Sequence, residues 1–227
     1  MPLTPAQVAD EVRFWLGQDK EHMLFFSLGF QEPTLRDEAK RLHDAYELAL
    51  RQDDLQKGLQ ILTQAQAFKT RALAAANTHW VGWIFPLFIE HTKRELDYML
   101  VRISPSGLSA RDELCFGNRI NAEHVAFAAH LLDPSEHHAF AALGTPLGTN
   151  ADTLANRCIQ ETYGSLLALS QRSGADIDRL FTGLDLTKTK SVIHPVLAAH
   201  VVREGKRFLQ TMAAMPPVPG ASLLRTY

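Results

Sequence analysis

The sequence predicts an all-α fold made of two tandem antiparallel four-helix bundles. Three observations predict it. Apolar residues recur at helical spacing over long windows, and the two-residue alternation of strands is nearly absent. Short breaks rich in Pro, Gly, Ser and Asp divide the chain into segments of helical length. The polar pattern of the first half returns in the second at a constant offset. A chain of 227 residues, 46% of them hydrophobic, is long enough to bury two small cores.

Taken in order, Thr4-Pro5-Ala6-Gln7 is a helix start, with Thr as cap, Pro at the first position and Gln at the third. This first helix is expected to run to about Gly29. Pro33, Thr34 and Asp37 open a second helix, to about Arg51. A third is expected from about Asp53 to Ala76, and a fourth from near Trp80 to near Ile103. Ser104-Pro105-Ser106-Gly107 is a clear break. It divides a first bundle, residues 1–106, from a second, residues 107–215. Ser109 and Asp112 cap a fifth helix that Asp133-Pro134 ends. A short sixth helix is expected to reach about Leu143, and Gly144 to Asn150 reads as a loop around Pro146. The seventh helix is expected from about Ala151 to Gln171, with an extra turn or two at Asp176 to Phe181. The eighth runs from about Ser191 to Ala213. Residues 216–227, with Pro216, Pro217, Pro219 and Gly220, read as an extended tail.

The repeat is carried by two patterns. Glu11, Phe14, Glu21, His22 and Phe25 correspond to Glu113, Phe116, Glu123, His124 and Phe127, each pair separated by 102 residues. Pro86, His91, Arg94 and Glu95 correspond to Pro195, His200, Arg203 and Glu204, each separated by 109. On a helical wheel at ~100° per residue, Glu11, Phe14, Gln18, Glu21, His22 and Phe25 fall within a sector of roughly 100°, and Arg13, Asp19 and Lys20 lie outside it. His91 and Glu95 share a stripe with Ile84, Leu87 and Phe88 and stand one turn apart.

A carboxylate in an apolar core is costly unless it is paired or bound to a cation. Inward-facing Glu and His from several helices of a bundle are a way of holding a metal ion. The expected ligands are His22, His91 and Glu95 in the first bundle, with Glu21 as a further ligand or supporting partner. In the second they are His124, His200 and Glu204, with Glu123 in the matching role and Glu161 from the third helix. Gln64 and Gln66 are the nearest third-helix candidates in the first bundle. Imidazole and carboxylate together suit iron or manganese, with zinc as the alternative. Glu11 lies about 16 Å along the axis from His22 and is expected either to cap the other end of the bundle or to pair with an arginine, Arg102 being the candidate. The competing reading is a metal-free network in which Arg94 and Arg203 neutralise the carboxylates.

The phenylalanine and tryptophan ahead of Glu21-His22, the Leu132-Asp133-Pro134 after Glu123-His124, and the Pro86…His91…Arg94-Glu95 pattern with its repeat resemble the bacterial domain-of-unknown-function 2935 family. Some of its members are labelled putative spore coat proteins. The resemblance covers most of the chain and implies ferritin-like tandem bundles with metal sites, but it supplies no activity. Gly117 departs from the first repeat, which has Trp15 at that position.

Composition narrows the function classes. The net charge of −2 gives no basic footprint for nucleic acid. The most apolar stretch, Trp80 to Ile89, is too short to span a bilayer and runs into Glu90 and His91, so no membrane is expected. The N-terminus lacks a signal-peptide pattern, which places the expected location in the cytoplasm. The two cysteines, Cys115 and Cys158, form no CxxC pair; Cys158 reads as a buried small residue on a helix. Trp15, Trp80 and Trp83 read as core or bundle-end packing. No P-loop, GxGxxG, GxSxG or HExxH pattern is present. Three functions remain: a non-haem metalloprotein with a redox role, a metal sensor or storage module without turnover, and a structural protein whose Glu/His cluster holds no metal. Substrate is unknown and a homo-oligomer is left open.

Overall fold

A computed structural model describes residues 3–216; the expected tail, apart from Pro216, lies outside the described residues. Eight α-helices are present among them: α1 (Pro5–Gly29), α2 (Pro33–Arg51), α3 (Leu55–Ala76), α4 (Pro86–Arg102), α5 (Ala110–Leu131), α6 (His137–Arg157), α7 (Tyr163–Thr182) and α8 (Pro195–Ala213). They form two compact units, residues 1–108 and 109–227. In the first, α1 packs against α2, α3 and α4; in the second, α5 packs against α6, α7 and α8. No described helix is long and apolar enough to cross a membrane.

The helix starts follow from their caps. Thr4 accepts from the Gln7 backbone, and the Gln7 side chain answers the Thr4 backbone, a reciprocal capping box. The side chains of Asp54, Ser109 and Thr162 cap α3, α5 and α7 by accepting from the backbone N–H groups of Lys57, Asp112 and Ser165. Pro33, Pro86 and Pro195 occupy the first position of their helices, where no N–H is needed.

The fourth and eighth helices begin later than the sequence suggests, and for one shared reason. Residues 80–85 are extended and pair with the chain leaving α1. Phe30 bridges Gly82, the Gln31 N–H donates to Val81 O at 2.8 Å and the Trp83 N–H to Gly29 O at 2.8 Å. Gly82 has φ +146°, and a Cβ there would lie 2.3 Å from Gly29 O, so only glycine fits. The second unit repeats the device: Leu132 bridges Ser191, and the Val192 N–H donates to Leu131 O at 2.9 Å. These bridges sit at the repeat offsets of 102 and 109. Trp80 and Trp83 are carried on this connection. They are 66% and 78% exposed, not packed in the core or at a bundle end.

The expected loop at Gly144 to Asn150 is also corrected. It is the middle of α6, which runs through Pro146. Pro146 and Ala142, whose carbonyl the proline leaves without a helical donor, lie on the exposed face, open to solvent. Gly148 is there for close packing: a Cβ would meet Val125 at 2.9 Å. The expected helix from Ala151 to Gln171 is instead broken at residues 158–162, and the turns at Asp176 to Phe181 belong to a continuous α7. Cys158, at the end of α6, is disulfide-bonded to Cys115 of α5, with Cα atoms 5.5 Å apart. It is thus half of a cross-link, not a lone small residue on a helix.

Gly117 and its neighbour show how one packing problem is solved twice. Trp15 fills this position in α1, beside Tyr98. In α5 the Gly117 Cβ site is taken by the ring of Phe208 from α8, 1.9 Å away. Phe208 corresponds by the 109 offset to Met99 in α4. A large residue on the first helix and a smaller one on the last have exchanged roles.

At the α1 N-terminal end, Glu11 is buried and held by Arg102, Nε to Oε1 2.8 Å, and by the Trp15 indole N–H, 3.1 Å. Breaking a buried pair leaves an uncompensated charge. Arg102→Met is therefore expected to cost about 3–5 kcal/mol in urea unfolding, and Glu11→Gln added to it to recover most of the loss. Equal stability of the single and double variants would contradict this pairing.

Candidate metal centre

Each unit brings one carboxylate between two imidazoles. In the first, α1 supplies His22 and α4 supplies His91 and Glu95. His22 Nε2 lies 3.2 Å from Glu95 Oε2, and His91 Nε2 lies 3.0 Å from Glu95 Oε1. In the second, α5 supplies His124 and α8 supplies His200 and Glu204. His124 Nε2 is 3.1 Å from Glu204 Oε2, and His200 Nε2 is 3.3 Å from Glu204 Oε1. All six residues are buried. The His91/Glu95 and His200/Glu204 pairs are one helical turn apart, so both side chains of each pair reach the same point.

The donor set fits a metal ion. Two ligands bound at about 2.0–2.2 Å to one ion stand roughly 3 Å apart, the separation seen here between imidazole and carboxylate atoms. All six belong to the buried His and Glu groups that could hold a metal ion. In the first unit a cavity of about 10 Å³ lies against His22 and Glu95, lined also by Trp15, Asp19, Thr92, Leu96 and Met99. It has room for about one water-sized particle.

The remaining expected residues are placed elsewhere. Glu21 is only partly buried; Glu123 is buried. Neither contributes to the convergent ligand atoms. Glu161 is not on a helix. It lies in the α6–α7 connection, where its backbone carbonyl accepts from Arg111 at 2.9 Å. Arg111 is thirteen residues before His124 on α5, about 20 Å along the axis, so Glu161 is not placed to be a ligand. Gln64 is exposed, and Gln66 donates to Asp97 at 2.8 Å. Arg94 reaches Glu90 at 3.8 Å.

Two residues next to the site escape the sequence reading. Asp19, placed outside the inward sector of the wheel, is buried. Its Oδ1 lies 3.3 Å from His22 Nδ1. Lys69, on α3, is fully buried. Its ammonium bonds Asp19 Oδ1 and donates to Thr92 O at 2.9 Å. Tyr46, from α2, donates to Asp19 Oδ2 at 2.6 Å. Burial pushes the Asp19 carboxyl up, but the Lys69 charge and the His22 contact outweigh it and hold it well below the usual carboxylate range. Burial, then the Asp19 charge, push the Tyr46 phenol well above its ordinary value. The usable signal was the spacing of Asp19, His22 and Phe26, which share one face at i, i+3 and i+7.

Aromatic rings wall the first site. The Phe88 ring stacks on His91 at 6.4 Å and meets His22 edge-on at 6.5 Å. In the second unit Phe181 meets His124 edge-on at 6.5 Å. The position matching Asp19 by the 102 offset is Asn121, also buried, and α7 brings buried Ser170 and Ser173 to this unit's core. Asn118 donates to Ser170 Oγ at 2.7 Å.

No protein-family model matches the chain. An uncharacterized protein, L567, of Acanthamoeba polyphaga mimivirus is similar at 23% identity over 253 residues, covering 89% of this chain and 79% of the viral one. A solved structure of an uncharacterized protein from Bacillus cereus G9241 superposes with a TM-score of 0.82 at 15% identity, covering 91% of this chain and 89% of that one. This likeness shows an all-α bundle fold shared over nearly the whole chain.

Tyr46→Phe removes one hydrogen bond to a buried charge without altering the packing. It is expected to lower stability in urea by about 1.5–3 kcal/mol. An unchanged midpoint would show that the phenol does not support Asp19.

Proposed function

We propose that this chain is a metal-binding helical-bundle protein that uses non-haem iron or manganese in small-molecule redox chemistry. The observation that carries the reading is the placement of two imidazole Nε2 atoms against one buried carboxylate, made twice by repeated sequence. Two histidines and one carboxylate are the donor set of mononuclear non-haem iron sites, and the same hard and borderline donors suit manganese. The resemblance to the domain-of-unknown-function 2935 family points the same way, toward ferritin-like bundles with metal sites.

His22, His91 and Glu95 would hold an ion in the first unit, and His124, His200 and Glu204 in the second. A bound ion would supply a redox centre. The protein's own part is to desolvate it, fix the ligands and restrict access. The cavity of about 10 Å³ beside His22 and Glu95 leaves room for about one water-sized particle next to the ligands.

The test is metal content of untagged protein, measured by plasma mass spectrometry after growth with iron or manganese. Glu95→Ala and Glu204→Ala are each expected to lower the bound metal, and a chelator to lower the melting temperature of the wild type. Reaction of the loaded protein with oxygen or peroxide then separates redox chemistry from storage or sensing. Absence of bound metal after supplementation, with an unchanged melting temperature, would leave a metal-free polar core and overturn the proposal.

A further inference from the structure

The first unit contains a charged assembly that the ligand set alone does not require. Asp19 receives three partners from three helices: Lys69 of α3, Tyr46 of α2 and His22 of its own helix. Lys69 is further fixed by the Thr92 carbonyl of α4. Thus α1, α2 and α3 meet at one carboxylate, and α4 joins through Lys69. Burying a lysine and an aspartate costs several kcal/mol per ion before pairing. A hydrophobic pair of similar volume would stabilise the core as well or better. The second unit does without it, with Asn121 at the equivalent position.

We propose that Asp19, fixed by Lys69 and Tyr46, is a positioning residue for the metal centre, which sets the His22 ring so that Nε2 faces the ion and makes this imidazole a stronger donor. This rests on the metal-binding reading above. An ionised carboxylate only accepts hydrogen bonds, so the 3.3 Å contact with Nδ1 requires the proton on that nitrogen. With a metal bound, the Nε2 lone pair would face the ion, which Glu95, 3.2 Å from Nε2, would share. A carboxylate behind a ligating imidazole fixes its tautomer and orientation and raises its basicity. An amide at the same place carries no full charge and can donate as readily as it accepts. Lys69 provides the positive charge that keeps Asp19 ionised without exposing it to water.

The test uses cobalt(II) as the probe and the double variant Asp19→Asn/Lys69→Met, which removes both buried charges together. Affinity is measured by titration, the coordination by the visible absorption bands of bound cobalt, and the fold by melting of metal-free protein. The expected result is a loss of affinity of at least about tenfold with shifted bands, while the metal-free melting temperature changes little. Unchanged affinity and bands, with only the melting temperature altered, would make the assembly purely structural and overturn the proposal. If wild-type protein takes up no cobalt, iron or manganese, the metal-binding reading fails first, and this one with it. A second measurement does not depend on the variant folding. Two-bond proton–nitrogen correlation of the metal-free wild type is expected to show the His22 Nδ1 protonated, and a bare Nδ1 would overturn the proposal.

Discussion

The structure depends on the problem posed by a carboxylate buried between two imidazoles in each bundle. Glu95 and Glu204 lie deep among apolar side chains, where an isolated charge would cost many kcal/mol. Each is placed between imidazoles from the first and last helices of its unit. The helices are therefore constrained in rotation as well as in packing. A turn of α1 or α4 by a single residue would carry His22 or Glu95 away from the other by ~100°. The late starts of α4 and α8 belong to the same constraint. The bridges at Phe30 and Gly82, and at Leu132 and Ser191, anchor the approach to each last helix against the exit from each first one. Pro86 and Pro195 then begin helices whose His and Glu follow five and nine residues later.

The two units share this centre and differ around it. The first backs His22 with an ionic assembly, walls it with Phe88 and fills the next layer with Trp15. The second has Asn121 at the position of Asp19, places Phe181 against His124 and fills the corresponding layer with Phe208 against Gly117. It also ties α5 to the end of α6 through Cys115 and Cys158. Repetition has kept the donor residues while the residues around them differ.

Much of the fold is legible in the sequence because its signals are local. Caps at Thr4 and Ser109 and prolines at helix starts act within one turn, and the repeat offsets place His22, His91 and Glu95 beside their counterparts. What is not legible depends on neighbours. The wheel for α1 assumed a narrow apolar stripe, whereas α1 contacts three helices and buries a face that reaches from Phe25 round to Leu16, with Asp19 inside it. Lys69 reads as a surface residue until the partner that neutralises it, fifty positions earlier in the chain, is known. Pro146 and Gly148 read as loop residues because their justification lies in solvent on one face and Val125 on the other. Glu161 carries a suitable side chain on a segment that turns out to be a connection at the far end of α5.

The central claim is that the imidazoles of His22, His91, His124 and His200 and the carboxylates of Glu95 and Glu204 bind metal directly. X-ray absorption at the iron or manganese edge of untagged, metal-supplemented protein tests it most directly. The account predicts a mixed nitrogen and oxygen shell with the outer-shell scattering of imidazole rings, lost when His22, His91, His124 and His200 are replaced together by alanine. A shell of oxygen alone without imidazole scattering, or one unaltered by those replacements, would contradict it.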